Sequence, residues 1–149
     1  MTENPQAPFE LYSERLGALP IIDVFLARVG LRGLLERYLA GGDERVCLPA
    51  ARVIGVLVRN LCVAREPLYG LAEWAERFEP GLLGLASSEA ALLNDDRVGR
   101  ALDQLFDADR GSLLVELMLG VISEFRVDTS QLHNDSTSIS LHEDVTLSV

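Results

Sequence analysis

Residues 49–63, Pro-Ala-Ala-Arg-Val-Ile-Gly-Val-Leu-Val-Arg-Asn-Leu-Cys-Val, place the strongest limit on what this chain can fold into. Ala50, Val53, Ile54, Val56, Leu57, Leu61 and Val63 recur at helical spacing, and apolar residues cover most of the circumference. A helix apolar on nearly every side is stable only when other elements wrap it. The spacing therefore predicts a central, buried helix surrounded by others. Arg52, Arg59 and Asn60 take the remaining face, and the two arginines are expected to reach solvent or to pair with acids of neighbouring helices.

The flanking stretches supply the wrapping. Pro20 opens a first helical turn, and Ile21, Ile22, Phe25, Leu26 and Val29 follow at helical spacing. Gly30 interrupts the pattern, Leu31, Leu34, Leu35, Tyr38 and Leu39 resume it, and Gly41-Gly42 end it. This reads as a helix pair with a short joint or as one helix kinked at Gly30. Pro67 starts a further helix with Leu68, Leu71, Trp74, Ala75 and Phe78 on one stripe, Trp74 being its core anchor. Pro80-Gly81 ends it, and Leu82 to Leu85 reads as a short helical turn. Asn94 followed by Asp95 and Asp96 is a strong helix start, an amide cap with acids at the positive end of the helix dipole. Val98, Ala101, Leu102, Leu105 and Phe106 continue the stripe. Asp109 or Ser112 caps the last helix, whose apolar positions are Leu113, Leu114, Leu117, Met118, Val121, Ile122 and Phe125.

The expected fold class is thus mainly α: a compact bundle of five or six helices over residues 19–126, preceded by a flexible arm over 1–18. A single segment breaks the helical pattern. From Gln131 to Leu141 the period becomes two, with His133, Asp135, Thr137, Ile139 and Leu141 on one face, which predicts one C-terminal β-strand.

Charge narrows the function classes. The net charge is −10, and all 13 basic residues are arginine. Residues 1–94 hold 9 Arg against 12 acids, and residues 95–149 hold 4 against 11. Neither half offers the basic footprint that binding to a phosphate backbone needs. Arg97 and Arg100 share a helix face and, with Arg110, are the candidate DNA contacts, although Asp96 and Asp103 offset their field. Cys47 and Cys62 sit in or beside apolar runs without metal-ligand spacing and are expected as buried free thiols. The first residues lack a basic start and an apolar core, and no apolar run reaches the roughly 20 residues that span a bilayer. A cytoplasmic location with no membrane partner is expected.

Chemistry is sparse. An acid in mid-strand is costly to bury unless something pairs with it, so Asp135 stands out. His133 faces the same side, but two ligands at spacing two make a weak metal motif, and Glu143 and Asp144 fall where solvated turn acids are common. Gly81-Leu-Leu-Gly84 lacks the residues of a phosphate-binding loop.

Four segments carry a resemblance. Leu132-His-Asn-Asp135-Ser-Thr137-Ser resembles the segment bearing the first catalytic acid in bacterial insertion-sequence transposases of the DDE class, on the first strand of an RNase H-like domain. Upstream, Leu16-Gly17-Ala-Leu-Pro-Ile21-Ile-Asp23, Pro67-Leu-Tyr69-Gly-Leu-Ala-Glu-Trp74 and Leu93-Asn-Asp-Asp-Arg97-Val-Gly-Arg100-Ala-Leu-Asp103 are similar to stretches of that family's N-terminal helical region. The resemblance implies that Asp135 is the first metal-binding acid of a triad and that the complete enzyme uses Mg2+ and transposon-end DNA. The sequence departs from the family after Leu141, and neither the second Asp nor the Glu follows. The expected protein is a truncated transposase with no activity or cofactor of its own, its RNase H-like domain missing beyond the first strand. The alternative is a stand-alone helical interaction module that pairs with itself or with full-length transposase and binds DNA weakly or not at all.

Overall fold

A computed structural model describes residues 16–40 and 48–131. They are mainly helical: seven α-helices and two 3-10 turns, with no strand among the described residues. The expected strand from Leu132 onward, including Asp135, lies outside them, as do Cys47 and residues 1–15 of the expected arm.

α1 (Leu19–Arg28) begins with Pro20 in its first turn, where the missing N–H is no loss. Before it, Gly17 takes φ +53°, and the turn drops Leu19 into the core. Gly30, at φ +67°, then separates α1 from α2 (Leu31–Tyr38). The left-handed glycine makes a helix pair here, not one kinked helix. α2 ends at Tyr38, ahead of Gly41-Gly42, which lie outside the described residues.

α3 (Ala50–Val63) is the central helix, buried at Ala50, Ala51, Val53, Ile54, Gly55, Val56, Leu57 and Asn60. It packs chiefly against α2 and α6. Its last turn leaves the core. Leu61 is exposed, and Cys62 is an exposed free cysteine, which corrects its expected burial. Asn60 departs from expectation in the other direction, being buried. Its Nδ2 donates to the Glu66 carbonyl (2.8 Å), and its Oδ1 accepts from the Glu66 N–H (3.0 Å). The side chain thereby stands in for a turn of backbone hydrogen bonds and lets the chain leave α3 through Arg65 at φ +56°.

The helix expected from Pro67 is shorter than its apolar stripe. Leu68–Gly70 is a 3-10 turn, and only Leu71–Ala75 (α4) is α-helical. Pro67 enters with extended ψ, and Gly70, a weak helix former, stands at the junction. Leu71, Trp74, Ala75 and Phe78 are buried as expected, while Leu68 is exposed. The short turn expected at 82–85 lies two residues earlier, a 3-10 turn over Pro80–Leu83 that takes in the Pro80-Gly81 expected to end the preceding helix. It is capped by Glu79 Oε2 accepting from Leu82 N–H (3.1 Å) and buries Leu83. α5 (Ser87–Ala90), four residues long, escapes any periodicity test.

α6 (Asp95–Asp107) is capped as expected, Asn94 Oδ1 accepting from Arg97 N–H at 2.9 Å, and it buries Val98 and Ala101. α7 (Arg110–Phe125) is capped by Asp109, which accepts from Ser112 N–H at 3.1 Å. Of its seven expected core positions only Leu113 is buried. α7 lies on the outside of α2: Glu116 accepts from Arg37 (2.7 Å) and from the Tyr38 hydroxyl (2.6 Å). Gly120 of α7 faces the Val29 carbonyl, at a distance where an added Cβ would be in ordinary contact.

Candidate functional site

The polar face of α3 supplies the most organised group of charges. Arg52 and Arg59 are seven residues apart, two helical turns, so both guanidiniums leave the same side of the helix. Arg59 donates to Asp23 on α1 and, through Nη1, to the Gly55 carbonyl one turn back (3.0 Å). Arg52 donates to both carboxylate oxygens of Glu89 on α5. Arg32 of α2 stands nearby, paired to Glu36 at 2.8 Å. The three arginines and Asp23 line a hollow of about 280 Å³ between α1, α2 and α3, with apolar walls from Leu26, Leu31 and Leu83.

Two glycines border the Arg59 guanidinium at distances where a Cβ would be in ordinary contact. Its Nη1 would lie 3.4 Å from a Cβ at Gly55, and its Nη2 3.6 Å from one at Gly84. Gly84 also takes φ +75°, closing the turn after Leu83. The Arg59 side chain is only 12% exposed, and its Nε is buried without a hydrogen-bond partner among the described residues. A guanidinium so placed depends on the Asp23 carboxylate.

Glu89 is held more completely. Burial pushes its carboxyl up, but the Ala86 amide (2.7 Å), the Arg52 guanidinium and the field of Arg32 together outweigh burial and leave it below the ordinary glutamate range. A folded-state value below the unfolded one means that the contribution is complete above the ordinary glutamate pKa, about 4.3, and is lost as pH falls through the folded value. Glu89→Gln keeps an acceptor for Arg52 and loses only the charge, so the stability lost should be on the order of 2 kcal/mol at neutral pH and should shrink steadily as the pH falls below about 4. Urea unfolding of both proteins across that range checks it, and a pH-independent difference would refute the ion pair.

The expected DNA contacts are only partly brought together. Arg97 and Arg100 line one shallow groove with Gln104 of α6 and Leu48, Ala50 and Val53. Arg97 Nε is buried there without a partner among the described residues. Arg110 lies beyond the other end of α6, its guanidinium 4.4 Å over the Phe106 ring. Arg110 does not line that groove, and Ala108 and Asp109 link α6 to α7 before it.

No group of three or more His, Cys, Asp or Glu among the described residues is placed to hold a metal ion. No helix among them is long and apolar enough to cross a membrane. What the geometry defines is a helical framework whose charged groups fasten helices to one another. Over residues 11–119 the chain matches, and belongs to, the family described as Domain of unknown function (DUF4277). No curated protein and no solved structure matches it. The matched span contains Asp23, the three arginines of the hollow, and Arg97, Arg100 and Arg110. Asp135 lies beyond it.

Sequence reasoning singled out Arg52 and Arg59 but could not name their partners. Asp23 and Glu89 are 36 and 37 residues away from them. The available signal was the isolated Arg pair on an otherwise apolar helix, which requires carboxylates from elsewhere.

Proposed function

We propose that these residues form the helical N-terminal part of a DDE-class transposase of a bacterial insertion sequence. In this reading Asp135 is the first metal-binding acid, and the 149 residues alone are not competent for strand transfer. The observation that carries it is the order along one chain of four segments similar to that family, ending at Asp135. The three upstream segments have a common character that supports the reading. In the first, Gly17 makes the entry turn and Asp23 holds Arg59. In the second, Leu71 and Trp74 are buried. In the third, Leu93, Val98 and Ala101 are buried and Asn94 caps α6. Each resembling stretch thus keeps residues that build a framework, as expected of a region that carries a catalytic domain.

In such an enzyme Mg2+ would activate water and then a DNA 3′-hydroxyl. Here only Asp135 matches a metal-binding position. The −10 charge argues for weak or no DNA binding by this chain alone.

Translating the DNA downstream of the coding sequence in every frame should reveal the remaining RNase H-like strands with a second Asp and a Glu. The restored protein should join transposon-end DNA to a target in Mg2+, and Asp135→Asn should reduce joining to background. Downstream DNA without such a remnant, or joining that survives Asp135→Asn, ends this reading. A second reading, a stand-alone interaction module, is favoured by one specific observation, the exposed apolar side of α7.

A further inference from the structure

We infer that the hollow between α1, α2 and α3 binds a small zwitterion, an α-amino acid with an aliphatic side chain. Arg32 and Arg52 hold its carboxylate, and Asp23 holds its ammonium. The hollow serves in this way whatever the role of Asp135. The ion pairs around it do not use up the groups that line it. Arg52 reaches Glu89 through Nη1 alone, so its Nε and Nη2 have no acceptor among the described residues. Arg32 uses only Nε, toward Glu36 at 2.8 Å, and both of its Nη atoms remain. Arg59 keeps a buried Nε without a partner among the described residues. On the negative side, Asp23 accepts from Arg59 through Oδ1, and Oδ2 takes no hydrogen bond from a described residue. A guanidinium has several N–H donors and a carboxylate several lone pairs, so each group can serve a helix and a ligand at once.

Charge decides the class of ligand. Arg32, Arg52 and Arg59 are matched by Glu36, Glu89 and Asp23, so the surroundings are neutral as a whole. A free anion such as phosphate would meet the Asp23 carboxylate, in a chain of net charge −10, and a cation would meet three guanidiniums. A ligand that carries both charges and no net charge meets neither obstacle. The two signs are also set apart. Asp23 sits with Arg59, and Arg52 leaves α3 seven residues earlier, about 10 Å along the axis. Arg32 stands toward the Arg52 end, close enough for its field to act on Glu89. Size and lining fix the rest. The volume of about 280 Å³ falls just below the roughly 300–1,000 Å³ of sites for drug-sized ligands, which suits an amino acid and not a nucleotide. Leu26, Leu31 and Leu83 give its aliphatic side chain an apolar wall.

Titration calorimetry of the full chain with L-leucine should show saturable one-to-one binding, with a dissociation constant below about 1 mM. Three analogues each lack one feature: isocaproate the ammonium, isopentylamine the carboxylate, and glycine the aliphatic side chain. Each should bind at least about tenfold more weakly than leucine. Two variants place the ligand. Arg32→Gln removes donors whose own ion pair is exposed, and Ala27→Phe fills the hollow from an exposed position on its wall. Both should keep the far-ultraviolet circular dichroism of the wild type and lower the affinity for leucine at least about tenfold. Should Ala27→Phe misfold, Arg32→Gln decides alone, its side chain being 68% exposed. Absence of saturable heat with leucine up to about 10 mM, an analogue that binds as tightly as leucine, or a folded variant that binds it like the wild type would each overturn the inference.

Discussion

Replacing Trp74 by alanine should remove about 4 kcal/mol of stability, near the middle of the range for emptying a buried aromatic site. Trp74 is 2% exposed and its ring centroid lies 5.1 Å from that of Phe78. The helix that carries it, α4, has five residues, too few to be stable without tertiary contacts. Trp74 and its neighbours Leu71, Ala75 and Phe78 are what dock this element, so losing the indole costs both burial and the anchorage of a segment. Against a total of about 5–15 kcal/mol for an ordinary domain, the loss is a quarter or more of the stability, so the urea midpoint should fall markedly. Circular dichroism in urea is the suitable measurement, because Trp74 is the only tryptophan and its fluorescence disappears with the substitution. Trp74→Phe, which keeps an aromatic ring, should lose less than half as much. A loss under about 1 kcal/mol for alanine would place Trp74 among surface substitutions and contradict its burial.

The second large effect concerns Asp23 and Arg59. Truncating Asp23 to alanine should cost about 3 kcal/mol, the lower end for breaking a buried ion pair, since the Asp23 side chain is 43% exposed and water screens part of it. The cost arises mainly at the other partner. Arg59, 12% exposed and with Nε unpartnered among the described residues, would keep its charge and lose the Asp23 carboxylate. A double-mutant cycle with Arg59→Met separates the terms: the coupling should exceed about 1 kcal/mol, and the double variant should be more stable than Asp23→Ala alone. The Arg32–Glu36 pair provides the contrast. It is an exposed i, i+4 pair on one helix, so its removal should cost only about 0.3–0.5 kcal/mol. If both pairs behave alike, Arg59 is hydrated in solution and the hollow beside it is open water.

Several features of this fold were legible residue by residue. The apolar circumference of 49–63 marks α3 as the helix that others must cover. Asn94 before Asp95-Asp96 starts α6, Asp109 caps α7, and Pro20 stands in the first turn of α1. These signals are local: a cap satisfies an N–H two or three residues away, and an amphipathic stripe is a property of one helix. The candidate site was only half legible. Arg52 and Arg59 are conspicuous on α3, but Asp23 and Glu89 become their partners only when α1 and α5 pack there. α5 is too short for any stripe to reveal.

Tertiary structure alone decided which apolar faces are covered. Leu113 and Leu114 are neighbours with the same chemistry, and one is buried while the other faces outward, because α2 lies on only one side of α7. Cys62 is exposed and Asn60 buried for a related reason: the chain leaves α3 through Arg65 and crosses over Asn60, whose amide alone can bond both backbone groups of Glu66. Helix formation follows from hydrogen bonds and propensities within a few residues, so the sequence by itself determined where the long helices lie. Burial depends on elements that arrive from 30 or more residues away, and no local pattern records on which side they will pack.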